Sequence, residues 1–160
     1  AKRYGLNNYI NLVFRKNFSA QVLKANMKIV GNCEYGLVLY RNKLPKFRNN
    51  GKMIFNCMDW ERDDNTVEKI HPTQKPVKLL EQLIEIFTDE GDVVIDPCAG
   101  SGSTIVAAEN LGRKAYGFEI KKDFHAAACK WIENERKKRA EIKEFGYAKT
   151  EVEKTYPSLF

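Results

Sequence analysis

The sequence contains neither a long apolar run nor a close pair of cysteines. Its longest apolar stretches, such as residues 36–40 and 93–95, are far shorter than the ~20 residues that a membrane-spanning helix needs. The four cysteines, at positions 33, 57, 98 and 129, are too widely spaced for a zinc knuckle or a redox dithiol. These absences argue against a membrane protein and against a cysteine-based metal site. They predict free, mostly packed thiols in a reducing cytoplasm.

Acidic residues are scarce in the first third of the chain. Of the 160 residues, 1–60 carry 11 basic and 2 acidic side chains, 61–129 carry 8 and 13, and 130–160 carry 8 and 6. The net charge of +6 is therefore concentrated at the start, where it suits an extended anion such as a nucleic acid. An ordinary solvated surface explains the same charge equally well.

The first sixty residues predict extended structure interrupted by polar loops. Aromatic and β-branched side chains dominate residues 9–14 and 35–40, which predicts two strands. A basic, Asn-containing loop is expected between them. Residues 41–50 have no usable periodicity and predict a second basic loop.

From residue 61 onward the pattern becomes that of an α/β protein. An acidic loop is predicted at 61–69, followed by a helix that 71–76 opens and Gly91 ends. A strand buried on both faces is predicted at 92–96. A helix at 102–111, a strand at 115–119 and a helix from about Asp123 follow. This order is typical of half a Rossmann unit. The expected divisions are basic strands and loops at 1–60, a cofactor-binding half at 61–146 and a loosely packed tail at 147–160.

The strongest candidate site is the Gly- and Ser-rich turn of residues 96–104. It follows a predicted strand and opens a helix, at the edge where open α/β sheets bind ligands. Gly100 and Gly102 would allow a ligand to approach the backbone closely. The next predicted strand ends in Glu119, and a carboxylate there can accept hydrogen bonds from both hydroxyls of a ribose.

The turn fits neither of the common phosphate-binding motifs. Ile105 stands where a dinucleotide-binding motif has its third glycine, and Ser103 stands where a P-loop has its lysine. Asp96 would repel a pyrophosphate but attract an ammonium group. A ligand that carries both a ribose and an ammonium, such as S-adenosylmethionine, would satisfy both Asp96 and Glu119.

Two motifs resemble those of the amino-group DNA methyltransferases, which modify adenine N6 or cytosine N4. Residues 96–104 are similar to the family's Asp-Pro-Phe-x-Gly-Ser-Gly-Thr cofactor loop, with Cys98 at the aromatic position. Residues 71–76, His-Pro-Thr-Gln-Lys-Pro, look like the segment that precedes this loop in the β-type arrangement and closes over the methionine end of the cofactor. The resemblance is close over 71–132 and looser over 9–60, where 34–40 resembles a strand of the family's sheet.

The resemblance implies a Rossmann-like α/β fold of the S-adenosylmethionine-dependent methyltransferases, and double-stranded DNA as a partner. It implies that cofactor contacts come from Asp96, Pro97, Cys98, Gly100, Ser101, Gly102, Ser103 and Glu119, with His71, Thr73 and Lys75 on the other side. Phosphate contacts are expected from Arg15, Lys16, Lys43, Lys46 and Arg48. Simpler alternatives stay open, because an acidic residue at a strand end is often a helix cap and Lys75 can be merely solvated.

The family's catalytic segment, Asp/Asn/Ser-Pro-Pro-aromatic, is absent from the sequence. Its five prolines, at 45, 72, 76, 97 and 157, are never adjacent. In the family this segment receives the flipped base and accepts hydrogen bonds from its amine. No catalytic residue is therefore expected here. We expect either the carboxyl-terminal part of a longer or split methyltransferase, with a fold incomplete at its amino terminus, or a degenerate relative that binds cofactor without transferring methyl.

The expected function is methyl transfer from S-adenosylmethionine to an exocyclic amine in DNA, by an enzyme of the restriction–modification or phage type. N6 of adenine is the preferred target over N4 of cytosine. The reaction needs no metal, and the chain alone is expected to be inactive without the missing segment or a second chain. The alternatives are a non-catalytic module that binds S-adenosylmethionine and DNA, and a methyltransferase that acts on RNA or a small molecule.

Overall fold

The computed structural model describes residues 2–17, 21–43, 53–60, 63, 67 and 69–155, and only the backbone at 2, 21, 25 and 146–155. Seven strands and three helices are present in these ranges. The strands are β1 (Asn8–Lys16), β2 (Gln21–Lys24), β3 (Ile29–Gly31), β4 (Cys33–Tyr40), β5 (Cys57–Trp60), β6 (Val93–Asp96) and β7 (Lys114–Gly117). The helices are α1 (Val77–Phe87), α2 (Ser103–Asn110) and α3 (Lys122–Thr155).

A three-stranded sheet in the order β4-β1-β5 forms the amino-terminal part of the fold. Strand β1 pairs antiparallel with β4 and parallel with β5. Because side chains alternate between the two faces of a strand, one face of β1 turns inward with β5 and packs on α1. The apolar cluster under this face consists of Leu12, Phe14, Met58, Trp60, Leu79 and Ile86.

A second sheet is formed by the parallel pair β6 and β7, and it carries the candidate site at one end. Helices α1 and α2 and the first turns of α3 pack on one of its faces. The buried residues of this second cluster are Val77, Ile84, Val106, Ala107, Ala108 and Trp131. Asp63 fixes the start of α1, because its carboxylate accepts the backbone N–H of Val77 at 2.9 Å.

The prediction that the strand at 92–96 is buried on both faces is wrong. Val93 and Ile95 are 53% and 62% exposed, and Tyr116 on the neighbouring strand is 58% exposed. The helices described cover only the face that carries Val94 and Ala115. A parallel pair is normally covered by helices on both faces, so one layer of the α/β arrangement is not supplied by the described residues.

The amino-terminal sheet is open in the same way. Tyr9 pairs with Leu39 in the register of β1 and β4, and Leu37 and Tyr35 follow on the same face. These four side chains are between 41% and 79% exposed. Both sheets therefore present one apolar face that no described residue covers.

The single basic loop expected between the first two strands is also a wrong prediction. Strands β2 and β3 form an antiparallel pair inside this region, with a register shift between Val22 and Lys24. The two strands are only four and three residues long, so the sequence carries too short a pattern to predict them. Strand β5 was likewise not predicted, because four residues are too few for a period to be read.

The third helix runs further than expected. Its backbone stays helical past Gly146 to Thr155, nine residues into the segment 147–160 predicted as a tail. The charged residues at its end favour a helix without requiring a packed face, and Ile142 and Phe145 are exposed.

The cysteines are free but not packed. Cys33, Cys57, Cys98 and Cys129 are all exposed, so the expectation of mostly packed thiols is wrong. Cys33 and Cys57 pair with Arg15 and Val13 in the register of the first sheet, which places them on its uncovered face. No helix among the described residues has a stretch long and apolar enough to span a bilayer.

Candidate cofactor site

The site lies where β6 and β7 end side by side. Asp96 pairs with Gly117 in the parallel register, so the turns that follow the two strands lie at the same edge of the sheet. Backbone hydrogen bonds join these turns: Phe118 donates to the Asp96 carbonyl at 2.9 Å, and Ala99 donates to the Phe118 carbonyl at 2.8 Å. The glycine-rich loop and the segment containing Glu119 therefore form one unit.

Asp96 organises the loop that it opens. Its Oδ1 accepts the backbone N–H of Cys98 at 3.0 Å, and its Oδ2 accepts the hydroxyl of Thr104 at 2.6 Å. Asp96 does not cap α2, because the helix begins after Gly102 and neither contact is with a free N–H of its first turn. Each carboxylate oxygen can accept two hydrogen bonds, so these contacts leave acceptor capacity for a ligand.

Glu119 reaches back from the second turn to the first. Its Oε1 accepts the backbone N–H of Lys121 at 2.8 Å, and its Oε2 accepts that of Gly100 at 3.0 Å. The hydrogen bond from Lys121 is the main cause that holds the pKa of Glu119 below its ordinary value, with that from Gly100 and the nearby His71 acting in the same direction. Glu119 is therefore ionised at neutral pH and oriented by backbone groups. Strand β7 itself ends two residues earlier, at Gly117, rather than at Glu119 as predicted.

The two loop glycines have different roles. Gly100 has φ +54°, and a Cβ at this position would lie 3.8 Å from the ring of His71. Gly102 has φ +82°, and its Cβ would lie only 2.9 Å from Cδ1 of Ile132 on α3. The missing side chain of Gly102 makes room for a helix of the same protein. The close approach of a ligand to this glycine stays a prediction.

The serines of the loop face inward. The hydroxyls of Ser101 and Ser103 lie 2.8 Å apart, and both residues are buried. Their side chains stabilise the loop, which leaves their backbone as the part suited to a ligand. Pro97 and Cys98, in contrast, are exposed at the edge of the sheet.

The segment of residues 71–76 lies beside this loop, as the sequence predicted from the two motifs together. His71 packs edge-on against Phe124 of α3, with ring centroids 4.3 Å apart, and its ring also lies beside Gly100. The Nδ1 of His71 lies 3.2 Å from the backbone nitrogen and 3.1 Å from the hydroxyl oxygen of Thr73. Gln74 closes the segment by accepting the backbone N–H of Ile70 at 3.0 Å.

The contacts that the structure describes for Lys75 are with residues outside the glycine-rich loop. Its Nζ donates to Oε2 of Glu34 on β4 and lies 4.9 Å from the centroid of the Trp60 ring. The structure therefore links Lys75 to the amino-terminal sheet, and the cofactor contact predicted for it stays a prediction. Phe124, Glu34 and Trp60 were not found from the sequence, since their partners are distant along the chain.

Two of the cations expected to contact DNA are engaged within the protein. Lys16 is only 8% exposed and forms an ion pair with Glu34. The phosphate contact predicted for it stays a prediction, and the burial of Lys16 leaves little surface for such a contact. Both acidic side chains of residues 1–60 are used for internal pairing. Arg15 is exposed and pairs with the second of them, Asp59, at 2.7 Å. Lys43 is exposed, whereas Lys46 and Arg48 lie outside the described residues.

A separate open cleft of about 530 Å³ lies between the segment before β5 and helix α1. Its lining residues are Met53, Ile54, Phe55, Cys57, Met58, Asp59, Lys78, Leu79 and Gln82. No residue of the candidate cofactor site lines it.

The sequence matches the family model of the N6/N4 DNA methylases over residues 5–130. The chain belongs to this family. Members of the N6/N4 methylase family depend on S-adenosylmethionine, and the family model covers both β1 and the candidate site. The predicted α/β, Rossmann-like methyltransferase fold is confirmed.

Curated relatives extend well beyond the region that they share with this chain. The chain is 36% identical to YubD of Escherichia coli (strain K12) over 126 residues, which are 79% of this chain and 51% of that protein. It is 46% identical to the type II methyltransferase M2.DpnII of Streptococcus pneumoniae over 100 residues, 60% of this chain and 37% of the relative. It is 38% identical to the DNA adenine methyltransferase YhdJ of Escherichia coli (strain K12), over 55% of this chain and 31% of the relative. The chain thus spans about half the length of these relatives or less.

Solved structures of methyltransferases share the fold. The M1.HpyAVI complex with S-adenosylmethionine superposes with a TM-score of 0.67 and 25% identity, over 82% of this chain and 65% of that one. The cytosine-N4-specific PvuII methyltransferase superposes with a TM-score of 0.66 and 21% identity, over 74% and 49% of the two chains.

Proposed function

We propose that this chain is the carboxyl-terminal, cofactor-binding part of a site-specific DNA methyltransferase that modifies N6 of adenine. The observation that carries the proposal is the position of the two carboxylates. Asp96 ends β6, and Glu119 lies two residues beyond the end of the adjacent parallel strand β7, where it accepts the backbone N–H of Gly100 in the loop that Asp96 opens. Such a pair suits a ligand that presents a ribose and an ammonium group. S-adenosylmethionine is that kind of ligand.

The donors and acceptors of the site fit this cofactor. Glu119 offers a carboxylate whose oxygens are already oriented by two backbone N–H groups, which suits the two hydroxyls of a ribose. Asp96 adds a second negative charge, which favours a cationic ligand over a phosphate. His71 and Phe124 border the loop from the other side, where they limit the space beside Gly100.

The chemistry asked of these residues is binding and orientation. S-adenosylmethionine supplies a methyl group on an electrophilic sulfonium when bound. Because Asp96 and Glu119 are held by internal hydrogen bonds, they can orient a bound cofactor without first losing much conformational freedom. The amine that accepts the methyl must be aligned by residues other than these.

The open sheet faces support a role for a further polypeptide segment. Tyr35 and Leu37 on one sheet, and Ile95 and Tyr116 on the other, form apolar faces that need a covering layer. The relatives contain such additional sequence, since this chain matches only about half of YubD. We therefore assign the flipped-base pocket and its Pro-Pro segment to that additional part, whether in the same polypeptide or in a second chain.

Adenine is favoured over cytosine because YhdJ, named as an adenine methyltransferase, is 38% identical over the shared region. DNA contacts would come from exposed cations such as Lys43 and Arg15 on the amino-terminal side. A DNA substrate would also place the protein in the cytoplasm.

Cofactor binding tests the site directly. Asp96→Ala and Glu119→Ala are each expected to weaken S-adenosylmethionine binding about tenfold or more, a loss of roughly 1.4 kcal/mol. Isothermal titration calorimetry of the wild type, both variants and Lys43→Ala as a matched surface control measures the effect. Unchanged affinity in both carboxylate variants would contradict the assignment.

Methyl transfer tests whether this chain depends on a further polypeptide segment for activity. Incorporation of tritiated methyl into duplex DNA is expected to be absent for the 160-residue chain alone and to appear when it replaces the matched region of M2.DpnII. Mass spectrometry of the digested DNA then distinguishes N6-methyladenine from N4-methylcytosine. Incorporation by the chain alone would overturn the proposed dependence. Cofactor binding without activity in the chimaera would favour the non-catalytic module.

A further inference from the structure

An ionic cluster joins the segment of residues 71–76 to the amino-terminal sheet. It consists of Lys16 at the end of β1, Glu34 on β4, Trp60 at the end of β5 and Lys75. Both oxygens of Glu34 are used: Oε1 accepts the ammonium of Lys16, and Oε2 accepts that of Lys75. The two ammonium groups lie 4.6 Å and 4.9 Å from the centroid of the same Trp60 ring. We call these four residues the Glu34 cluster.

The partial burial of the Glu34 cluster sets it apart from a surface ion pair. Lys16 is 8% and Trp60 7% exposed, and the side chains of Glu34 and Lys75 are 33% and 46% exposed, whereas both partners of the Lys137–Glu133 pair on α3 are 65% exposed. Burial is the largest influence on the Glu34 carboxyl and raises its pKa, but the hydrogen bonds from Lys16 and Lys75 outweigh it and leave the pKa below its ordinary value. An ion pair in this environment is screened less by solvent than an exposed one.

The other end of the segment contacts the cofactor loop. Residues 71–76 form turns without regular secondary structure, so their position depends on their side-chain contacts. His71 lies beside Gly100 and Phe124 at one end, and Lys75 is bound by Glu34 at the other. The segment is thus held between two parts of the protein that lie far apart in sequence.

We propose that Glu34 is a positioning residue for the cofactor site, because it holds Lys75 against Trp60 and thereby sets where residues 71–76 lie relative to Gly100. This role rests on the proposed function and assigns a purpose to a residue that does not touch the site. Glu34 acts through Lys75, and the Glu34 cluster connects cofactor binding to the three-stranded sheet within the basic amino-terminal region.

The test compares Glu34→Gln with Glu133→Gln, which removes the carboxylate of the exposed Lys137–Glu133 pair on α3. Glu34→Gln keeps the shape of the side chain but removes its charge. We expect about fivefold or greater weakening of S-adenosylmethionine binding by calorimetry in Glu34→Gln, and less than about twofold in Glu133→Gln. Equal affinities in the two variants would overturn the proposal.

Hydrogen exchange supplies a readout that a general loss of stability would not produce. The amides of Thr73 and Gln74, which donate hydrogen bonds to His71, are expected to exchange faster in Glu34→Gln than in the wild type, while those of α2 keep their protection. Uniformly faster exchange throughout the chain would contradict positioning. This measurement needs no cofactor, so it decides the proposal even if the wild type fails to bind S-adenosylmethionine and the proposed function falls.

A double-mutant cycle tests whether Glu34 acts through Lys75. Lys75→Met and the double variant Glu34→Gln/Lys75→Met are expected to bind the cofactor within about twofold of each other, because the second change removes a contact already lost. Additive losses would contradict the proposed coupling. If Glu34→Gln does not fold, Lys75→Met leaves the Lys16–Glu34 pair intact, and it is expected to show the same local increase in exchange at Thr73 and Gln74.

Discussion

The cofactor turns and the amino-terminal sheet use their charged side chains in opposite ways. At the cofactor turns, Asp96 and Glu119 accept hydrogen bonds from nearby backbone and hydroxyl groups and keep acceptor capacity for a ligand. In the amino-terminal sheet, Arg15 and Lys16 are paired with Asp59 and Glu34. The carboxylates at the cofactor turns can therefore still accept hydrogen bonds from a ligand, whereas much of the charge in the amino-terminal sheet is neutralised by ion pairs within the protein.

The difference follows from sequence separation. The partners of Asp96 lie two and eight residues away, so a motif of nine residues contains the whole arrangement. The partner of Arg15 lies 44 residues away, and Lys75 lies 41 residues from Glu34. A local motif therefore predicts a site such as the cofactor turns well. A local excess of cations, in contrast, does not indicate which of those cations are left without an ion-pair partner.

The largest effect that would sharpen this comparison is expected at Gly102. Gly102→Ala forces a left-handed residue with a Cβ 2.9 Å from Ile132, and we expect a loss of about 2–4 kcal/mol in the free energy of unfolding. Gly91→Ala is the matched control, since its φ is also +82° but nothing lies within 4 Å of the added Cβ. Urea denaturation gives both values. Equal losses would mean that backbone strain alone, and not packing on α3, explains the glycine.

The next effect separates a buried cation from an exposed one. Lys16→Met is expected to lower the free energy of unfolding by about 1–3 kcal/mol, because it removes a charged hydrogen bond to Glu34 in a buried setting. Arg15→Met removes an exposed pair and is expected to cost clearly less. Thermal or chemical unfolding of both variants measures the difference, and the reverse order would refute this view of the sheet.

DNA binding should depend on the exposed Lys43 and not on the buried Lys16. Lys43→Ala is expected to reduce the slope of log affinity against log salt by about one, since an exposed cation can neutralise a phosphate. Lys16→Met is expected to leave the slope unchanged. Fluorescence anisotropy with a labelled duplex at several salt concentrations provides the slopes. A reduced slope for Lys16→Met alone would restore the original prediction for this residue.

A smaller effect is expected at the long helix. Glu109 on α2 is only 17% exposed and accepts hydrogen bonds from Arg136 and Arg139 of α3. Glu109→Gln is expected to lower the free energy of unfolding by about 1–2 kcal/mol, and Glu133→Gln, in an exposed pair, is expected to lower it clearly less. Denaturation curves test the ranking. Equal costs would show that α3 is held by its apolar contacts alone.

The smallest effect concerns pH. The pKa of Glu34 is lowered in the folded protein, so the stability contributed by its ionised form is present above the ordinary glutamate pKa and is lost as the pH falls through the lowered value. The difference in melting temperature between the wild type and Glu34→Gln should therefore be constant near neutral pH and shrink in acid. A difference that grows on acidification would contradict this sign.

The sequence anticipated the candidate site better than the sheets around it. The order of helices and strands from residue 77 to Asn110, the glycine-rich turn and the proximity of His71 to it all followed from local patterns. The pair β2 and β3, strand β5 and the exposure of Ile95 did not, because they depend on pairing partners and on which layers cover a sheet. A four-residue strand carries too little pattern to be recognised alone.

Gly102 shows the same limit within the motif itself. The motif identified this glycine, but the requirement for a residue without a side chain comes from Ile132, 30 residues further along the chain.

The sequence by itself determined the family, the Rossmann-like order of the cofactor region and the carboxylates at 96 and 119, because these depend on short spacings and on local backbone requirements. Only the tertiary structure decided that Lys16 is buried, that Glu34 binds Lys75 and that one face of each sheet is open. The physical reason is that ion pairing and burial depend on which distant segments the fold brings together, and the free energy of a charge is set by that environment rather than by its neighbours along the chain.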